Sequence, residues 1–200
     1  MTTDLSRHSS RPKKSFVVLA SGSGSNFQTL IDAVENANID AVIRALVVDR
    51  PCYATCRAAD HRINYVELWR KNDVAFNVNL LTHICQNTDL IVCAGYLSII
   101  HADVIAQFKR KIINIHPALL PKFGGAGMYG IRVHQAVIAA GESQSGCTVH
   151  YVDDGIDTGD IIAQRKVNVT PDDTADSLQQ KVLVQEHQLL PAVVKQLLEQ

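Results

Sequence analysis

The chain has 200 residues, 46% of them hydrophobic and 20% charged, with a formal net charge of −1. That length supports one domain with a real core, and the composition is that of ordinary soluble globular proteins. The charge balance gives no global field to recruit nucleic acid or an acidic membrane, no 18-residue apolar run is present to span a bilayer, and the start lacks the apolar core of a secretory signal.

Residues 1–14, "MTTDLSRHSSRPKK", read as a flexible tail ending in a small basic cluster. Residues 15–200 read as a single domain. "SFVVLA" (15–20) has the pattern of a buried parallel strand and runs into the glycine turn "SGSGSN". A helix is expected from Asn26 to about Glu35, with Phe27, Leu30, Ile31 and Val34 on one stripe and Ser25 and Gln28 spaced as a capping box. The alternation continues through a strand "AVIRALVV" (41–48), a helix "YATCRAADHR", a short strand "NYVEL" and a helix "DVAFNVNLLTHICQ". A strand "DLIVCAG" (89–95), an apolar loop or helix "YLSIIHADVIAQF" and a strand "KIINIHP" follow. Strand and helix in turn imply an α/β fold: a Rossmann-like open, mostly parallel sheet with helices on both faces.

After residue 121 the rhythm changes. The glycine-rich loop "KFGGAGMYG" precedes a helix "IRVHQAVIAAG", and two strands, "GCTVHYV" and "DIIAQRKVNV", are joined by "DDGIDTG". That loop is long enough for a hairpin, so a C-terminal antiparallel extension is expected. A long final helix has Thr170, Pro171 and Asp173 as cap, first-turn proline and acidic first turn, with Pro191 expected to kink or break it.

The five cysteines, at 52, 56, 85, 93 and 147, are odd in number and scattered, which suits free thiols in a reducing, cytoplasmic setting. Cys52 and Cys56 can share a helical face, but two thiols make a poor zinc site, and no metal centre is expected.

A glycine turn after the first strand is where an α/β sheet meets an anion, through turn N–H groups and the helix N-terminus behind it. No Gly-Lys-Ser/Thr follows, and Phe27 stands where a dinucleotide fingerprint needs a small residue, so a monophosphate fits better than a pyrophosphate. At the carboxyl end of "KIINIHP", Asn114 and His116 lie two apart and share one face of a strand that otherwise reads as buried. Polar side chains there are costly unless they are used. An amide donor can hold an oxyanion, and an imidazole can move a proton near neutral pH. No serine or cysteine is placed as a partner nucleophile. The pair therefore points to direct attack of a bound nucleophile on a carbonyl. A carboxylate to orient His116 can come from Asp153, Asp154, Asp157 or Asp160 in "VDDGIDTGD", and the spacing does not choose among them.

Taken in order, "VVLASGSGSN", "NIHPALLP", "GCTVHYVDDGIDTGDIIAQ" and "VQEHQLLP" closely resemble the phosphoribosylglycinamide formyltransferases over roughly residues 15–198. The resemblance implies transfer of a formyl group from 10-formyltetrahydrofolate, as cosubstrate and without a metal, to the amine of glycinamide ribonucleotide in purine synthesis. It implies Asn114 as oxyanion donor, His116 as proton donor, and Asp157 as the group that raises the His116 pKa and organises a water. Gly24, Ser25 and Asn26 would hold the substrate phosphate, with Glu186 and Pro117 at the ribose and glycinamide. Leu97, Ser98, Ile99 and Ile100, with Asp153, Asp154, Gly155 and Ile156, would line the folate.

The chain departs from the family where Ser98 replaces a frequent arginine, where Leu183 replaces a polar contact, and in the longer "GGAGMYGIRVH" segment, which suits either a mobile lid or a packed variant loop. The expected partners are these small molecules, with no nucleic acid or membrane, in a monomer or homodimer. The competing readings are a formyltetrahydrofolate hydrolase, which needs no phosphate cradle, and a non-enzymatic phosphate- or nucleotide-binding module.

Overall fold

The computed structural model of the chain describes residues 12–68 and 73–200; the expected tail over 1–14, with its basic cluster, falls mostly outside them. The alternating pattern builds β1 (Lys14–Ala20), α1 (Ser25–Glu35), β2 (Ala41–Val48), α2 (Ala54–Asp60), β3 (Tyr65–Glu67), α3 (Val74–Cys85), β4 (Leu90–Cys93), α4 (Ala102–Gln107) and β5 (Ile112–His116). The C-terminal part adds α5 (Ile131–Ala139), β6 (Gln144–Tyr151), β7 (Ile161–Asn168) and α6 (Ala175–Leu198). The strands form one sheet in the order β3–β2–β1–β4–β5–β6–β7. All pairings from β3 to β5 are parallel, while β6 runs antiparallel to β5 and β7 antiparallel to β6. This is the expected sheet with its antiparallel extension.

Period-two alternation divides the core. Phe16, Val18 and Ala20 of β1 pack with Phe27, Leu30 and Ile31 of α1 and with Leu178, Val182, Leu190 and Val194 of α6. Val17 and Leu19 pack on the other face with Leu81 and Cys85 of α3 and Val104 of α4. In β5, Ile113 and Ile115 belong to the first cluster and Ile112 to the second. Asn114 and His116 therefore share the face of Ile112, at the strand's carboxyl end.

The helix termini correct three expectations. Ser25 does not cap α1: it is the first helical residue, behind a left-handed Gly24 (φ 69°), and no side chain caps the helix. A Cβ on Gly24 would lie 2.8 Å from the Ala54 Cβ, so glycine alone turns the chain here. The cap of α6 is Thr174, not Thr170: Thr174 Oγ1 accepts from Ser177 N, and Ser177 Oγ accepts from Thr174 N. Asp173 instead ties the preceding turn to the helix, accepting from Thr170 N at 2.8 Å and Lys181 Nζ at 2.6 Å. Pro191 does not end α6. Leu189, Leu190, Val193 and Val194 around it are buried, and each contributes about 1.5–3 kcal/mol, against a proline cost of about 3 kcal/mol.

All five cysteines are free; Cys56 is exposed and Cys52 half-buried. Burial pushes the thiols of Cys85, Cys93 and Cys147 up to about 12. Among the described residues no helix is long and apolar enough to cross a membrane.

Candidate active site

The loops after β1, β4 and β5 open at the carboxyl edge of the parallel strands into one cavity of about 730 Å³, closed by the 125–130 loop, the 152–157 loop and α6. This is where an open α/β sheet receives ligands.

At one end lies α1. Its first helical bond runs from Gln28 N to Gly24 O at 2.9 Å, so the N–H groups of Ser25, Asn26 and Phe27 precede the ladder with no side-chain cap. Asn26 and Glu186 are buried together, with Asn26 Nδ2 donating to Glu186 Oε2 at 2.6 Å. Burial raises the Glu186 pKa against that bond. Asn26 Oδ1 is buried without a hydrogen-bond partner, an acceptor held ready for a donor.

At the other end four polar side chains meet. Antiparallel pairing sets His150 opposite Asn114 and Thr148 opposite His116. His150 Nδ1 lies 2.8 Å from the Tyr151 carbonyl, an acceptor, so Nδ1 carries the proton and Nε2 accepts from Asn114 Nδ2 at 3.1 Å. Asp157 sits between the two histidines, Oδ2 at 3.4 Å from His116 Nδ1 and Oδ1 at 3.5 Å from His150 Nε2. It also accepts from Gly125 N at 3.0 Å. His116 Nε2 faces the Phe123 carbonyl at 2.8 Å, so acceptors flank both of its ring nitrogens. Asp157 and Phe123 both hold left-handed backbone, at φ 58° and 57°. For phenylalanine that is a genuine outlier, of the kind that collects at functional sites.

Burial of Asp157 works to raise its pKa, but His150, the His116 charge and Gly125 N outweigh it and hold the carboxyl below the ordinary range. For His116 the balance goes the other way. Burial lowers its pKa more than Asp157 and the Phe123 carbonyl raise it, so the ring sits below the ordinary value. Asp157 opposes that fall rather than producing a net rise.

Between the ends, the 95–100 segment is clamped to the residues that follow β1 and β2. Ser21 N donates to Gly95 O at 3.0 Å, Leu97 N to Ser21 Oγ at 2.8 Å, and Ser98 Oγ to Asp49 Oδ2 at 2.6 Å. Leu97 and Ile156 are partly exposed and Ile99 is 81% exposed, giving the mouth an apolar rim.

Residues 14–194 match the formyl transferase family. The chain belongs to that family. It is 36% identical over 190 residues to the phosphoribosylglycinamide formyltransferase of Bacillus subtilis, covering 92% of this chain and 95% of the relative. It is 39% identical over 193 residues to the chloroplastic phosphoribosylglycinamide formyltransferase of Vigna unguiculata, covering 94% of this chain but only 62% of that longer relative. The crystal structure of glycinamide ribonucleotide transformylase 1 from Geobacillus kaustophilus superposes with a TM-score of 0.84 at 35% identity, covering 94% of this chain and all of the other.

For this member of the formyl transferase family, the residues the sequence nominated, Asp160 excepted, line this cavity: Gly24–Asn26, Leu97–Ile100, Asn114, His116, Pro117, the 153–157 loop and Glu186. Of the four candidate aspartates, Asp157 alone reaches the histidines. Asp153 accepts from Gly155 N and Thr158 Oγ1 in its own turn, and Asp160 pairs with Arg110. The 122–130 loop is packed against Asp157 and His116 through Gly125 and Phe123. Two residues escaped the sequence reading, His150 and His134. His134 is buried in the cavity wall with Nδ1 unpartnered, and burial, aided by the His116 charge, pushes its pKa down to about 4.

Proposed function

We propose that this chain transfers the formyl group of 10-formyltetrahydrofolate to the primary amine of glycinamide ribonucleotide, by direct attack and without a covalent enzyme intermediate. The observation that carries this reading is one cavity with an uncapped helix N-terminus at one end and Asn114, His116, His150 and Asp157 at the other. The first suits a phosphate and the second a carbonyl becoming tetrahedral.

In this reading Ser25 and Asn26 hold the phosphate through their backbone N–H groups, and Glu186 and Pro117 border the ribose and glycinamide. Leu97–Ile100 and Asp153–Ile156 flank the folate, whose flat ring system and aryl tail match the apolar rim. Asn114 keeps one amide hydrogen on His150. Its second has only Asp157 Oδ1 at 3.5 Å, too long for a good bond, and is available to the formyl oxygen as charge develops. The attacking amine loses a proton and folate N10 gains one as the old C–N bond breaks, and His116 serves that transfer. The Phe123 carbonyl occupies His116 Nε2 in the free chain, so delivery of the proton exchanges that bond for the substrate. Asp157 stabilises the imidazolium from Nδ1. No step calls for a metal. The setting proposed is the cytoplasm, and the role a step in purine synthesis.

The test is to mix purified protein with glycinamide ribonucleotide and 10-formyltetrahydrofolate and follow folate absorbance and formylated product together. Turnover that requires the nucleotide is expected. Folate consumption without the nucleotide would replace this reading with a hydrolase, and no consumption would reduce the glycine loop to a binding module.

A further inference from the structure

Among the described residues the cavity wall holds no cation where a phosphate calls for one. Four carboxylates line it, Asp153, Asp154, Asp157 and Glu186, while no lysine or arginine among the described residues does. Glu186 is bonded to Asn26, within the phosphate subsite itself. Leu183 of α6, facing the same space, brings no charge. A phosphate monoester carries nearly two negative charges at neutral pH, and an uncapped helix offers about half a positive one.

A cation stands immediately behind the loop. Arg57 of α2 donates from Nε to the Ser23 carbonyl at 2.9 Å and from Nη1 to Gln28 Oε1 at 2.9 Å. A Cβ on Gly24 would come within 3.3 Å of the Arg57 Cδ, so the side chain lies directly against the turn. The guanidinium is fixed from several sides. It lies 5.2 Å from the Tyr53 ring centroid. Gln28, which holds it, is itself tied to Asp32 at 2.9 Å and to His61 at 3.1 Å, and His61 to Glu35 at 2.7 Å. Among the described residues Arg57 forms no ion pair; both of its hydrogen-bond acceptors are neutral oxygens. An ordered arginine whose charge is unspent, set beside the loop meant for an anion, is a feature that loop packing alone does not call for. A neutral side chain would donate to a carbonyl as well.

We propose that Arg57 is the positioning cation of the phosphate subsite. It acts from behind through Ser23 and Gly24, fixing the loop so that its N–H groups converge and supplying the charge that the cavity wall omits. This rests on the glycinamide ribonucleotide reading and names how the substrate's anionic end is recognised. It also explains Gln28, whose side chain serves Arg57 instead of the helix cap.

The experiment compares glycinamide ribonucleotide with its dephosphorylated riboside in the wild type, Arg57→Lys and Arg57→Gln. In Arg57→Gln the nucleotide KM is expected to rise roughly tenfold, the worth of one charge-assisted contact, with kcat changed less than the KM. The riboside, having no phosphate to recognise, should move less than about twofold, and Arg57→Lys should recover part of the loss, because charge survives without the fork. Equal losses for both substrates would show that Arg57 merely holds the fold of the loop, and unchanged nucleotide KM would remove it from the subsite; either overturns the proposal. Ribose 5-phosphate, titrated while the backbone amides of Ser25 and Asn26 are followed by NMR, reads the same subsite without turnover. Arg57-dependent binding in a wild type that shows no formyl transfer would sink the transferase reading and leave this one standing. Binding indifferent to Arg57 would do the reverse.

Discussion

The parallel half of the sheet and its antiparallel extension serve one cavity by different means. Before β5 the chain contributes mainly backbone: the turn at Gly22–Gly24, the bare start of α1, and the 95–100 segment held by Ser21 and Asp49. From β5 onward it contributes side chains that converge across strands, Asn114 and His116 from one, His150 from its antiparallel neighbour, Asp157 from the loop that follows. Parallel strands leave their carboxyl ends side by side with helix starts behind them, which suits an anion. The antiparallel turn-back brings a second strand's interior residues against those ends, which suits proton chemistry.

That division can be broken or sharpened by substitution. His116→Ala should give the largest effect, a loss of about 10²–10⁴ in kcat with nucleotide KM little changed, read in steady-state assays; a KM effect alone would erase the distinction between the halves. His150→Ala leaves Asn114 Nδ2 without its acceptor and Asp157 without one neighbour. Misplacement of this kind costs up to about 10²-fold, and the loss should again fall in kcat. Gly24→Ala acts on the other half. Forcing alanine into left-handed backbone costs about 1–2 kcal/mol, and the overlap with Ala54 adds to it. Denaturant unfolding should show the loss, and the nucleotide KM should rise more than kcat falls.

Acid sensitivity touches stability and leaves the division itself intact. His134 titrates near pH 6.5 when unfolded but at about 4 when folded, so between those values the unfolded chain binds the extra proton. Stability is whole above about pH 6.5 and falls as the pH drops toward 4. His116, also lowered by burial, adds in the same direction. Unfolding free energies from urea titrations at pH 7.5 and pH 5 should differ by about 2 kcal/mol through His134, and His134→Leu should shrink that gap.

The same division governs what the sequence discloses. Strand and helix in β1 to β5 are legible because each records its own burial locally: Phe16, Val18 and Ala20 alternate with Val17 and Leu19, and Phe27, Leu30 and Ile31 repeat at helical spacing. The Asn114–His116 pair is legible because two polar residues interrupt an apolar strand. Thr148 and His150 make the same interruption in "GCTVHYV", and that signal points to His150. Which aspartate completes the site is not legible from spacing, since loop geometry brings Asp157 and not Asp153 to the histidines; only the family resemblance points to Asp157. Nor is the net pKa of His116, because a pairwise view sees the carboxylate and misses the burial. The caps of α1 and α6 fail for a related reason: side chains that satisfy a local rule, Gln28 and Asp173, are engaged by Arg57 and Lys181.

The thiol inventory has a practical side. Only thiolate reacts quickly with alkylating reagents, and three of the five cysteines are buried with pKa values near 12, while burial also raises that of half-buried Cys52. Cys56 is left as the reactive position, on the exposed side of α2 and one residue from Arg57. A maleimide dye placed there would turn the native chain, without any engineered cysteine, into a fluorescence reporter of what happens at the glycine loop.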